Sequence, residues 1–203
     1  MDADPVEIRV LGCLIEKQRT TPDTYPLTLN SLRLACNQAT NREPVVEYDE
    51  EVIREALQRL WRREWARLAS GQGSRSVKYR QLMQETLGLA DDEISVLCVL
   101  MLRGPQTPGE LKQRTDRLHQ FGELAAVEET LERLIGRNLV ARLARRPGRK
   151  EERYAQLLGG AVDDAAEIDV SRSVLARDPL EERIAALEVE VAALRAALTD
   201  LGL

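Results

Sequence analysis

The sequence predicts a mainly helical α+β protein in which one small module, three helices closed by a β-hairpin, occurs twice and is followed by a separate amphipathic helix. Three observations predict it. The halves repeat one another: Leu57-Gln-Arg-Leu-Trp-Arg-Arg-Glu-Trp-Ala-Arg-Leu-Ala69 answers Leu131-Glu-Arg-Leu-Ile-Gly-Arg-Asn-Leu-Val-Ala-Arg-Leu-Ala144 with one inserted residue, and Tyr79-Arg-Gln-Leu-Met83 answers Tyr154-Ala-Gln-Leu-Leu158. Within each copy the apolar period changes from helical to extended. Near the end of the chain Leu180, Ile184, Leu187, Val191, Leu194, Leu198 and Leu201 alternate at steps of four and three, the seam of a coiled coil.

In the first copy, Val6–Lys17 and Leu27–Gln38 read as the first two helices. Asp49 is a natural cap for the third, in which Ile53, Ala56, Leu57 and Leu60 share one face and Glu51, Arg54, Glu55, Gln58, Arg59 and Arg62 the other. A short extended run after Trp65, a Gly71-Gln-Gly73 turn and a second run through Val77 and Tyr79 make the hairpin. In the second copy Asp91 caps a helix carrying Ile94, Leu97, Val99, Leu100 and Met101, which ends at Gly104-Pro105. Thr107-Pro-Gly-Glu110 is a capping box with proline in the first turn. Val127, Leu131, Leu134 and Ile135 form the third stripe, and Leu139–Ala144, a Pro147-Gly148 turn and Arg153–Leu157 the second hairpin.

Helix, helix, helix, hairpin is the order of a winged helix-turn-helix. The expected organisation is therefore two tandem winged-helix domains over 1–83 and 84–158, a linker over 159–179 and a coiled-coil-like helix over 180–203. A helix of about three heptads is marginal alone in water, so it needs a second copy, making a homodimer, or a groove on its own chain.

Composition narrows the function. The 203 residues are 43% apolar and 31% charged, with net charge −5. The longest apolar run, Val96–Leu102, falls far short of the ~20 residues that span a bilayer, so no membrane role is expected. The acidic start, Met1-Asp-Ala-Asp-Pro5, lacks the features of a secretory leader, and a cytoplasmic protein is expected. Cys13, Cys36 and Cys98 form no CxxC pair and His119 is the sole histidine, which argues against a metal site or disulfide framework and for buried reduced thiols. His119 itself reads as a solvated surface residue. With 3% aromatic residues, stacking platforms for single strands are not expected. No nucleophile–base pattern or phosphate-cradling glycine loop is present, so neither an enzyme nor a cofactor is expected.

Two segments are distinctive. Leu11-Gly-Cys-Leu-Ile-Glu-Lys-Gln-Arg-Thr-Thr-Pro-Asp-Thr-Tyr-Pro-Leu-Thr-Leu-Asn-Ser-Leu32, continuing to Ala35-Cys-Asn-Gln-Ala-Thr-Asn-Arg-Glu-Pro-Val45, closely resembles the signature of the YceH-like family of uncharacterised bacterial proteins. Arg103-Gly-Pro-Gln-Thr-Pro-Gly-Glu-Leu111 resembles that family's second recurring segment. The resemblance covers residues 5–158 and implies a tandem winged-helix fold in a bacterial cytosolic protein. Where the family often has Lys after Asn-Gln, this chain has Ala39, which weakens the case for this segment as a phosphate clamp.

Two functional readings follow. The first is a regulator or nucleoid-associated protein binding duplex DNA, its wings on the backbone and the third helix of the first domain in a groove. Its candidate residues are Arg54, Arg59 and Arg62 on that helix, Arg75 and Lys78 on the first wing, and Arg145, Arg146, Arg149 and Lys150 on the second. Each wing, 66–80 and 139–153, carries net charge +4, but the third helices are acidic: residues 49–65 hold four arginines against five acids, and 123–138 two against four. The second reading is a protein-interaction module of the acidic tandem winged-helix type, with a protein partner. A polar cluster of Glu16, Tyr25, Asn30, Asn37, Gln38, Asn41 and Arg42 either contacts a ligand or ties down the turn between the second and third helices.

Overall fold

Local caps set the helix boundaries. The computed structural model describes residues 3–69, 76–145 and 151–160; the remaining linker, the Leu180–Leu201 seam and both hairpin tips lie outside them. Asp4 opens α1 (Pro5–Thr20) by accepting the Glu7 N–H at 2.8 Å, and Glu7 accepts the Asp4 N–H in return at 3.0 Å. A two-residue strand, β1 (Leu27–Thr28), leads into α2 (Leu29–Cys36), where Thr28 Oγ1 accepts the Ser31 N–H at 3.2 Å. Asp49 caps α3 (Glu50–Arg62) as expected, taking the Val52 N–H at 2.9 Å, and Ile53, Ala56, Leu57 and Leu60 form its buried stripe. β2 (Ala66–Leu68) and β3 (Lys78–Gln81) follow, and the antiparallel sheet has the order β1-β3-β2.

A short helix, α4 (Met83–Leu87), fills the junction and stops at Gly88, whose φ of +58° is left-handed. α5 (Asp91–Arg103) ends at Gly104 as the Gly-Pro pair predicts. Its start corrects the expected Asp91 cap: Ala90 stands there, its N–H bonded to Glu93 at 2.9 Å, while Asp91 is the first helical residue and accepts from Arg19 at 2.6 Å and Gln84 at 2.8 Å. A tertiary ion pair outcompetes the local cap. The Thr107–Glu110 box opens α6 (Pro108–Thr115), and α7 (Leu124–Gly136) precedes the antiparallel pair β4 (Val140–Leu143) and β5 (Arg153–Gln156). The described chain is thus mixed α+β, with seven α-helices and small antiparallel sheets.

The repeat extends further than the helices. Leu27 pairs with Tyr79 in the first half, and Gln106 exchanges backbone hydrogen bonds with Tyr154 at 2.8 and 3.0 Å in the second. The two repeat-related tyrosines therefore receive the same kind of extended partner, each just ahead of a threonine cap, Thr28 or Thr107.

One apolar core draws on both halves, with α1 packed on α5. The contact is close at Gly12: the Cys98 thiol donates to its carbonyl at 3.4 Å, and a Cβ placed there would lie 2.9 Å from Leu102 Cδ2 and 3.3 Å from Met101 Cβ. Gly12→Val is expected to cost ~1–3 kcal/mol through overpacking, read from the urea unfolding midpoint. Cys13, Cys36 and Cys98 are all buried free thiols. His119 is half-buried, edge-on to the Phe121 ring at 4.7 Å, which corrects the solvated surface position expected of it.

Candidate functional site

The two faces formed by a third helix and its hairpin differ in kind. In the first half, α3 turns its apolar stripe inward and leaves Arg54, Gln58, Trp61 and Arg62 outside. Trp61 is 65% exposed and Leu68 on β2 is 60% exposed, and both border a shallow cavity of about 310 Å³ with Leu57, Ala66 and Tyr79 in its wall. Arg54 and Arg67 supply the charge beside it, and neither has an ion-pair partner among the described residues. An exposed tryptophan and leucine between unpaired arginines form an apolar patch with a cationic rim.

Arg59 lies on the same helix but points elsewhere. Its guanidinium meets Asp4 at 2.8 Å and Glu7 at 3.6 Å, and neighbouring Arg63 holds the buried Glu7 carboxylate at 3.0 Å, so Arg59 fastens α3 to the start of α1. Arg62 is exposed, Lys78 is partly buried on β3, and Arg75 lies outside the described residues.

In the second half, Glu128, Glu129 and Glu132 face outward from α7. Arg142 on β4 pairs with Glu132 and, at 3.6 Å, with Glu152, and its guanidinium stands 5.7 Å from the Tyr154 ring centre. Arg145 reaches Glu152 at 3.3 Å. Arg142 and Arg145 are thus matched by nearby carboxylates; Arg146, Arg149 and Lys150 lie outside the described residues.

Several members of the polar cluster hold parts of the fold together. The Arg42 side chain is 0% exposed, and its guanidinium donates to Glu16 at 2.7 and 3.2 Å, to Gln38 at 2.9 Å and to the Ala35 and Asn41 carbonyls at 3.1 and 2.9 Å. Burial raises the Glu16 carboxyl, but the bonds and charge of Arg42 outweigh it and hold the group below the usual glutamate range. Asn37 clasps the Tyr48 backbone, donating to its carbonyl at 2.8 Å and accepting its N–H at 2.9 Å. The Tyr25 hydroxyl accepts the Gln81 N–H at 2.7 Å, and burial pushes that phenol up to about 12. Asn30 is exposed and accepts only from Arg33, at 3.1 Å. Among the described residues no cluster of His, Cys, Asp or Glu could hold a metal ion, and no helix is long and apolar enough to cross a membrane.

Trp61 and Leu68 are not among the candidates that the sequence offers, and Arg67 enters there only as one of the four cations of the first wing. The available signal was a tryptophan on the charged side of an otherwise regular amphipathic helix.

The family model described as "Protein of unknown function, DUF480" matches residues 3–149. A UPF0502 protein of Pelobacter propionicus is 50% identical over 194 residues, covering 93% of this chain and 88% of the relative. The UPF0502 protein YceH of Salmonella typhimurium is 46% identical over 202 residues, covering 96% and 94%.

Proposed function

The chain belongs to the DUF480 family, as its two signature segments implied, and from that premise we propose that it is a non-enzymatic binding protein of two tandem winged-helix modules that docks an acidic, apolar segment of another protein on the α3–hairpin face of the first module. The twofold run of helix, extended partner, helix, helix and hairpin supports the modular reading.

One observation carries the function: the Trp61–Leu68 patch with Arg54 and Arg67 beside it. Tryptophan and arginine dominate the energetic centres of protein interfaces, and a large apolar surface left in water is a cost that a partner removes. The charge selects the occupant. Arginines without counterions favour carboxylates beside the apolar anchors. Duplex DNA fits less well, because Glu50, Glu51 and Glu55 stand on the exposed side of α3, and Glu128, Glu129 and Glu132 on that of α7, where phosphates would approach.

Panning a random dodecapeptide library against the full chain tests this. Enriched peptides should combine Leu or aromatic residues with flanking Asp or Glu. Trp61→Ala should weaken them by about thirtyfold, the ~2 kcal/mol of an interface hot spot, and Arg67→Glu should reverse their charge preference. Basic peptides, or affinity indifferent to Trp61, would refute the reading. A labelled duplex that binds with a steep salt slope while peptides fail would assign the face to nucleic acid instead.

A further inference from the structure

A second site lies away from this face. The ends of α1 and α5, the connection from α2 to α3 and the end of α6 enclose a cleft of about 550 Å³. Four cations line it: Lys17 from α1, Arg103 from α5, and Arg114 and Arg117 from α6 and the turn after it. The single carboxylate in its wall, Glu16, already has both oxygens bonded to the buried Arg42. Outside the cleft Arg114 reaches only Glu110, at 3.3 Å, and Lys17 touches the occupied Glu16 at 3.4 Å. Arg103 donates to the neutral amide oxygen of Asn41, and Arg117 has no ion-pair partner among the described residues. Burial, together with the neighbouring Arg114 and Arg42 charges, pushes the Arg103 guanidinium below its ordinary value. An acidic protein that gathers four cations in a concave, polar cleft, two of them, Arg103 and Arg117, without an ion-pair partner among the described residues, has built a place for an anion.

We propose that this cleft binds a phosphorylated small molecule of about nucleotide size. Guanidinium groups arriving from α5 and α6 suit the several oxygens of a phosphate, which accept forked, charge-assisted hydrogen bonds. The floor is apolar, with Val99, Leu102 and Leu118, and can take an organic moiety, while Gln38, Thr40 and Gln113 offer neutral hydrogen bonds beside it. The volume falls in the range of small-molecule sites, ~300–1,000 Å³. None of these residues lies at the Trp61 face, so the two proposals stand or fall separately.

Calorimetric titration of the full chain with ADP, inorganic pyrophosphate and adenosine, at physiological salt, tests it. ADP and pyrophosphate should bind, ADP more tightly, and adenosine should not. The Arg103→Gln, Arg117→Gln double variant should weaken ADP by about a hundredfold or more, as expected for two charge-assisted contacts. Trp61→Ala should leave ADP binding unchanged. The Arg117→Gln variant should not lower the melting temperature of the ligand-free protein, since Arg117 has no ion-pair partner among the described residues to lose. No heat from either phosphate, or binding that survives in the double variant, overturns the proposal. So does a lower melting temperature for Arg117→Gln, because the cations would then be structural. A duplex that binds through the same arginines while ADP fails would show a nucleic-acid surface instead.

Discussion

Arg42→Ala is expected to lower the unfolding free energy by about 3–5 kcal/mol, the usual cost of removing one partner of a buried ion pair. All five N–H donors of this guanidinium have acceptors: two oxygens of Glu16, the Gln38 amide oxygen, and the carbonyls of Ala35 and Asn41. The residue therefore joins α1 to the end of α2 and to the turn beyond it. Truncation leaves a largely buried carboxylate with only Lys17, at 3.4 Å, as counterion and three neutral oxygens without their donor, and each unmet group costs its own desolvation. Lysine cannot substitute, because one ammonium has three donors on a point charge where the site uses a planar fork. Urea unfolding followed by far-ultraviolet circular dichroism measures the loss, and a change below about 1 kcal/mol would mean that water replaces the guanidinium at little cost.

The same pair predicts how stability responds to acid. Glu16 has its folded-state pKa lowered relative to the ordinary 4.5, so the folded state holds the ionised form more tightly than the unfolded chain does. Its contribution is present in full above the unfolded value and is lost as pH falls through the lower folded one. Wild type should therefore lose stability between pH 4.5 and more acidic values in part through this group, and Glu16→Gln should flatten that portion of the profile.

Much of this fold was legible in the sequence because it rests on local chemistry. The Asp49 and Thr107 caps, the Gly104 stop and the inward stripe of Ile53, Ala56, Leu57 and Leu60 each follow from residues within a turn or two of one another. What escaped depends on partners distant in the chain. β1 is two residues long and exists because Leu27 and Thr28 meet Tyr79 and Lys78. Asp91 left its expected cap for Arg19, a residue of α1. At the candidate sites, charge counting places Arg59 and Arg145 on solvent-facing surfaces free to meet phosphates, whereas the fold pairs Arg59 with Asp4 and Arg145 with Glu152. The cationic cleft is the converse case: Lys17, Arg103, Arg114 and Arg117 are ordinary surface residues in one dimension and neighbours only once α1, α5 and α6 pack.

That packing makes α5 the element least tolerant of loss, and Leu97→Ala is expected to cost about 2–5 kcal/mol. Every residue from Glu93 to Leu102 is buried, and α1, α6, α7 and β5 all pack against the helix. A helix covered all round cannot settle into a space opened on one side, so the cavity left by the deleted isobutyl carbons persists and adds its own term to the lost transfer energy. Leu97 is 0% exposed and belongs to the core that both halves share. The position of the loss is therefore as informative as its size. If the shared core couples the halves, urea unfolding of Leu97→Ala gives one transition with a lower midpoint and an unchanged slope, because the same surface is exposed at once. Were the halves independent, the curve would split, with the α5–β5 half melting early and α1–β3 remaining at the wild-type midpoint. A split curve would also show that α1 needs no cover from α5, and the tight approach at Gly12 would then contribute nothing to stability.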